Sequence, residues 1–134
     1  MNKILVLGGG SWGTTLGNLL AEKDHDVTLW ARNSKIFKKV KNYWTNNQYL
    51  PKYKISKNLK IVSDLKDAFL DVDLVIVAIP SKSFRSISSK ISKYLDNQKI
   101  LIASKGIENE SFMTMSEVFI DETNHSKKNI MILS

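Results

Sequence analysis

The chain has 134 residues, 43% hydrophobic, 25% charged and 9% aromatic, which suits one folded domain with a buried core and argues against a disordered chain. A net charge of +7 would attract phosphate-bearing partners, but the cations run from Lys3 to Lys128 with no Arg-rich helix, aromatic-interleaved patch or helix-turn-helix pattern, so nucleic acid is not expected. No Cys is present, which excludes disulfides and thiolate metal sites and fits a cytoplasmic setting, and the longest apolar run, 74–79, is too short to span a bilayer.

Met1-Asn2-Lys3 ahead of an apolar run resembles a weak signal peptide, yet the run meets glycines with no cleavage-like site, so Lys3–Leu7 is predicted as a strand. Its near-continuous apolarity is that of a parallel strand buried on both faces. Residues 12–23 have helical period, with Leu16, Leu19 and Leu20 as the inward stripe, and Asp24-His25-Asp26 turns into a second strand at 27–30. Asn33-Ser34 reads as the cap of a second helix with Ile36, Phe37, Val40, Tyr43 and Trp44 on its apolar side. Residues 45–57 lack a period and contain Pro51, so they are predicted as a long connection of the kind that carries function.

A third strand is expected at 59–62, then a short helix from Ser63-Asp64, and the strongest strand at 73–79, ended by Pro80-Ser81. A helix at 84–95, a strand at 99–104, a helix at 113–121 and a last strand at 129–133 complete the reading. Alternating strands and helices with no repeat or linker predict a single α/β domain over 1–134.

Gly8-Gly9-Gly10-Ser11-Trp12-Gly13 holds the spacing G-x-G-x-x-G directly after a buried strand and before a helix. Gly8 allows the tight turn, Gly10 lets a pyrophosphate approach the backbone, and Gly13 lets the helix pack on the sheet. The first-turn N–H groups and the positive end of the helix dipole then bind the diphosphate. The fold class follows: a Rossmann doubly wound parallel sheet of about six strands in the order 3-2-1-4-5-6, with its crevice at the strands' carboxyl ends. Ser11 and Trp12 stand in the loop, Trp12 either as a ligand contact or as a core aromatic.

An acid that would hold the adenosine ribose is expected at the end of strand two, but Trp30-Ala31-Arg32-Asn33 stands there. Arg32 can pair with a 2′-phosphate, so NADPH should be accepted at least as well as NADH.

Four words appear in order: GGGSWGTTL (8–16), NQYLP (47–51), PSKSFR (80–85) and SKGIE (104–108). Together they resemble the bacterial NAD(P)-dependent glycerol-3-phosphate dehydrogenases, over the whole chain. The resemblance implies interconversion of sn-glycerol 3-phosphate and dihydroxyacetone phosphate for glycerophospholipid synthesis, with a helical second domain carrying a general-base Lys. That domain is expected to be missing after Ser134, leaving no catalytic residue in this chain, and a homodimer is expected for the full-length family. It also implies cofactor contacts at Ser11, Trp12, Arg32, Asn33 and Tyr49, and a Lys105 that touches both cofactor and substrate. Phe84 packs either on the nicotinamide ring or in the core. His25 is given a structural role only. Two alternatives stand beside this reading: another two-domain dehydrogenase, such as ketopantoate reductase or hydroxyacyl-CoA dehydrogenase, and a non-catalytic nucleotide-binding remnant of a truncated gene.

Overall fold

Alternate residues of the first strand face opposite sides of one sheet, and this organises the whole molecule. The structure, a computed structural model, describes residues 2–134. Met1 lies outside the described residues, as do the side chains of Ser34 and Phe37, placed above in the cap and stripe of the second helix.

Strand β1 (Lys3–Leu7) turns into α1 (Ser11–Glu22), β2 (Asp26–Trp30) and α2 (Ser34–Tyr43). A two-stranded antiparallel unit follows, β3 (Thr45–Asn46) with β4 (Leu50–Lys54). Then come β5 (Lys60–Val62), α3 (Leu65–Ala68), β6 (Leu74–Val77), α4 (Ser81–Ile91), β7 (Lys99–Ile102), α5 (Met115–Thr123) and β8 (Ile130–Ile132). The six-stranded sheet runs β5-β2-β1-β6-β7-β8 with every pairing parallel, which is the expected 3-2-1-4-5-6 order.

Leu5 and Leu7 of β1 join Val75, Val77, Ile100 and Ile102 on the face covered by α4 and α5, through Phe84, Ile87, Ile91, Val118 and Phe119. Ile4 and Val6 join Val27, Leu29 and Ile76 on the other face, under Ala21 of α1 and Ile36 and Val40 of α2. A strand with two cores has no polar side, hence the unbroken apolar run in the sequence.

Several bounds differ from expectation by a residue or two, and three differences have a local cause. The connection at 45–57 holds the β3–β4 hairpin; its strands are short, mostly exposed and interrupted by Pro51, so they show no period. Helix α4 begins at Ser81 rather than 84, because Pro80 supplies a preset φ at a position where its missing N–H costs nothing, and it passes into a 3₁₀ turn at Ser92–Tyr94. Helix α5 begins at Met115 rather than 113, fixed by a capping box between Thr114 and Glu117. Asp24 adopts φ 62 in the turn before His25, a left-handed conformation that Asp tolerates. His25 is exposed in that turn, at the end of the sheet opposite the glycine loop.

Candidate functional site: a phosphate loop opening on a two-armed cleft

The sheet order reverses at β1, which lies between β2 and β6, so the crossovers on its two sides diverge and leave a crevice above its carboxyl end. Gly8 sits there at φ +121, and a Cβ on it would stand 2.3 Å from the Ala78 carbonyl oxygen. A Cβ on Gly13 would stand 2.0 Å from the Gly8 carbonyl oxygen, so α1 is pressed against the strand end. Gly10 is the opposite case: its Cβ would meet nothing within 4 Å, and this open side faces the crevice.

Gly10 is also the N-cap of α1, and no side chain caps that helix end; no carboxylate lies in its first turn. The N–H groups of the first turn therefore point out of the helix with the positive end of its dipole behind them. Ser11 is exposed, its carbonyl accepting the Thr15 Oγ1 hydroxyl at 2.8 Å. An anionic diphosphate fits this loop.

The crevice has two arms. One is lined by Gly8–Gly10, Trp30, Ala31, Arg32, Asn33, Ile36, Tyr49, Ile79, Pro80, Ser83 and Ile87. The other is lined by Gly10, Ser11, Trp12, Tyr49, Ala78, Ile79, Pro80, Ala103, Ser104 and Lys105. Tyr49 borders both and is 42% exposed. Arg32 is exposed and has no protein partner among the described residues. The Asn33 side chain caps α2 by accepting the Lys35 N–H at 2.9 Å, and the residue is exposed, with its amide NH2 still available to donate. Trp30 is buried, its indole N–H donating to the Ser63 carbonyl at 3.0 Å.

Trp12 is 44% exposed and borders the second arm, so it is no core aromatic. Lys105 is exposed at the same arm, followed by Gly106 at φ +118. Phe84 departs from the ring-packing expectation. It has no exposed surface, lies edge-on to Phe119 at 6.5 Å, and borders neither arm, because Ser81 rather than Phe84 begins α4 and the helix turns Phe84 down into the core.

Sequence reasoning missed the groups that hold these parts. Ser104 Oγ accepts the Ile79 N–H at 2.8 Å and donates to the Val77 carbonyl at 3.1 Å, bridging the ends of β6 and β7. Arg85 joins three carboxylates, Glu108 at 2.8 Å, Asp121 and Glu122, tying α4 to α5 and to the segment after Lys105. Hydrogen bonds from the Arg85 guanidinium and from Ser111 hold the Glu108 carboxyl down to about 2. Asn46 and Asn18, both buried, dock the β3–β4 hairpin on α1. The PSKSFR and SKGIE words contain the Arg85–Glu108 pair, and this was the available signal; nothing local marks Asn46.

The cations are also less dispersed than their range from Lys3 to Lys128 suggests. Residues 27–63 carry nine Lys and Arg and no carboxylate, so the rest of the chain is net negative by two. That segment forms α2 and the hairpin, beside the arm that holds Arg32.

A family model described as NAD-dependent glycerol-3-phosphate dehydrogenase N-terminus matches residues 3–134. The NAD(P)+ glycerol-3-phosphate dehydrogenase of Carboxydothermus hydrogenoformans is 41% identical over 133 residues, 98% of this chain and 40% of that protein. The crystal structure of glycerol-3-phosphate dehydrogenase from Coxiella burnetii superposes with a TM-score of 0.86 at 30% identity, over 98% of this chain and 39% of that one. A ketopantoate reductase from Ralstonia eutropha shares the fold alone, with a TM-score of 0.70 at 17% identity over 97% of this chain and 39% of that one. The chain thus spans about 40% of the length of the curated relative it matches.

Proposed function

The chain belongs to the NAD-dependent glycerol-3-phosphate dehydrogenase family, an oxidoreductase family using NAD(P), whose N-terminal part it matches, and on that footing we propose that residues 1–134 act as one cofactor-binding domain for interconversion of sn-glycerol 3-phosphate and dihydroxyacetone phosphate. The observation that carries the reading is the convergence of three anion-seeking groups on one cleft: the uncapped start of α1, Arg32 with no partner among the described residues, and the exposed Lys105.

In this reading Gly8, Gly10 and Gly13 shape the loop, and the backbone N–H groups from Ser11 onward, with the Ser11 hydroxyl, hold the diphosphate. Arg32 and Asn33 take the adenosine end, where a guanidinium matches a 2′-phosphate in a bidentate pair. Trp12 and Tyr49 border the second arm. Lys105 Nζ donates to the substrate's phosphate or to its carbonyl oxygen, stabilising negative charge that develops on that oxygen. Hydride exchange is the chemistry the nicotinamide supplies when bound. The product would feed glycerophospholipid synthesis in the cytoplasm, and the full-length family would act as a homodimer. No helix among the described residues is long and apolar enough to cross a membrane.

Two experiments test this. Titration of the chain with NADPH and NADH, followed by tryptophan fluorescence, should quench Trp12 and Trp30 saturably; a cooperative melt with no quenching by either cofactor would overturn the cofactor reading. Joined to the C-terminal part of the Carboxydothermus relative, the chain should support oxidation of NADPH or NADH by dihydroxyacetone phosphate. A folded chimera that binds cofactor but leaves it reduced would overturn the substrate reading alone.

A further inference from the structure

Asn46 is 1% exposed, yet it belongs to a two-residue strand of a largely exposed hairpin. Such burial of an amide is costly unless both its ends find partners. Its NH2 group has two: the Gly9 carbonyl at 2.9 Å and the Thr14 hydroxyl at 3.0 Å. Both hydrogens of Nδ2 are therefore used, one within the turn between β1 and α1 and one on α1 itself. The main chain of Asn46 is engaged as well, its carbonyl accepting the Tyr49 N–H at 3.1 Å.

The bond to Gly9 fixes more than a distance. In a trans peptide the C=O and the following N–H point in opposite directions. No peptide bond among the described residues is cis. Ala31 lies close beside Gly9, where an added Cβ would stand 2.8 Å from Ala31 Cβ. Asn46 borders neither arm of the cleft, so a Gly9 carbonyl held by it is turned to the back of the loop. The N–H of Gly10, opposed to that carbonyl, then points away from Asn46, and Gly10 itself borders the open cleft.

We propose that Asn46 is a positioning residue for the dinucleotide: it keeps the Gly9 carbonyl away from the cleft and so presents the Gly10 N–H to the diphosphate. Without it the Gly9–Gly10 peptide is free to rotate, and a carbonyl aimed at an anion repels it where an N–H attracts it. The same residue opens the turn that brings Tyr49 to the cleft, so the phosphate loop and the Tyr49 wall share one anchor. The inference rests on the cofactor reading above and deepens it.

The test uses the chain itself. In two-dimensional amide spectra of the isotope-labelled protein, NADH should move the Gly10 amide strongly downfield, whereas adenosine, which lacks phosphate, should leave it in place. Asn46→Ala should bind NADH roughly 10- to 100-fold more weakly, the loss of one hydrogen bond to a charged group, and should lose the Gly10 shift. Thr14→Val removes the other Asn46 bond with little change of shape, so it should lower the melting temperature yet keep both NADH affinity and the Gly10 shift. If NADH binds the unaltered chain and moves other amides but not that of Gly10, the proposal falls and the cofactor reading stands. It falls equally if folded Asn46→Ala binds NADH as tightly as the parent, or if Thr14→Val loses as much affinity. If the parent chain binds no NADH, the cofactor reading falls and takes the proposal with it. Should Asn46→Ala not fold, the Gly10 shift in the parent and the affinity of Thr14→Val decide.

Discussion

Gly13 and Gly17 lie one turn apart on α1, both buried, and the same substitution at each should have opposite effects. Replacing either by Ala raises intrinsic helix propensity by about 1 kcal/mol. At Gly17 the new methyl would stand 3.4 Å from Leu59 Cδ1 and 3.6 Å from Val6 Cγ2, ordinary contacts with side-chain ends. Gly17→Ala should therefore keep most of the gain and raise the melting temperature by about 3–5 °C for a chain of this size. At Gly13 the methyl would stand 2.0 Å from the Gly8 carbonyl oxygen and 3.3 Å from Ala78 Cβ. The obstacle is backbone at the strand end, so the helix must retreat by more than 1 Å to reach the 3.4 Å of ordinary contact. Overpacking of this kind costs roughly 1–3 kcal/mol, which exceeds the propensity gain. Gly13→Ala should melt several degrees below the parent and also bind NADH less well, because the first-turn N–H groups move with the helix. Thermal unfolding of the three proteins side by side reads the sign directly. Shifts in the same direction would refute the packing argument, since propensity alone acts equally at both sites.

Arg32→Ala should weaken NADPH binding roughly tenfold or more, the worth of a charge-assisted hydrogen bond, with a much smaller effect on NADH; equal losses in a fluorescence titration would remove Arg32 from the 2′-phosphate. Because nine cations and no carboxylate lie within residues 27–63 beside that arm, raising salt from about 10 mM to about 100 mM, which shortens the screening length from about 30 Å to about 10 Å, should slow association of NADPH more than of NADH. Identical salt dependence in stopped-flow mixing would mean that this face does not attract the cofactor. Glu108 titrates near 2 when folded, below its ordinary value of 4.5, through its hydrogen bonds with Arg85 and Ser111. The unfolded chain then binds the extra proton first, so this stabilisation is complete above the ordinary value and fades as the pH falls toward about 2. Glu108→Gln should flatten the acid limb of the melting-temperature profile; parallel profiles for parent and variant would deny the pair that role.

The alternation of strands and helices was legible because each strand's apolar run serves two cores, as Ile4 through Leu7 do. The glycine spacing was legible because chemistry fixes it: Gly8 and Gly13 stand where any side chain would strike backbone. Trp12 and Phe84 are ambiguous in the sequence, since each stands near the start of a helical pattern and periodicity does not tell which way such an aromatic faces. The structure sends one to the cleft and the other into the core. The Thr114–Glu117 capping box stands in the letters, and it, rather than the apolar Met113, marks the start of α5. Asn46 was illegible for a physical reason. Its partners, Gly9 and Thr14, lie 37 and 32 residues away, and a buried amide has no local signature.

That separation also gives the loop a history. Translation runs at about 5–20 residues per second, so roughly two to seven seconds pass between the emergence of Gly9 and that of the residue 37 positions later that holds it. Through that interval the glycine turn has left the ribosome without its anchor, and α1 likewise waits for Ser56, 38 residues downstream of Asn18. A nascent chain stalled ahead of Thr45 displays the whole phosphate motif without the amide that holds it.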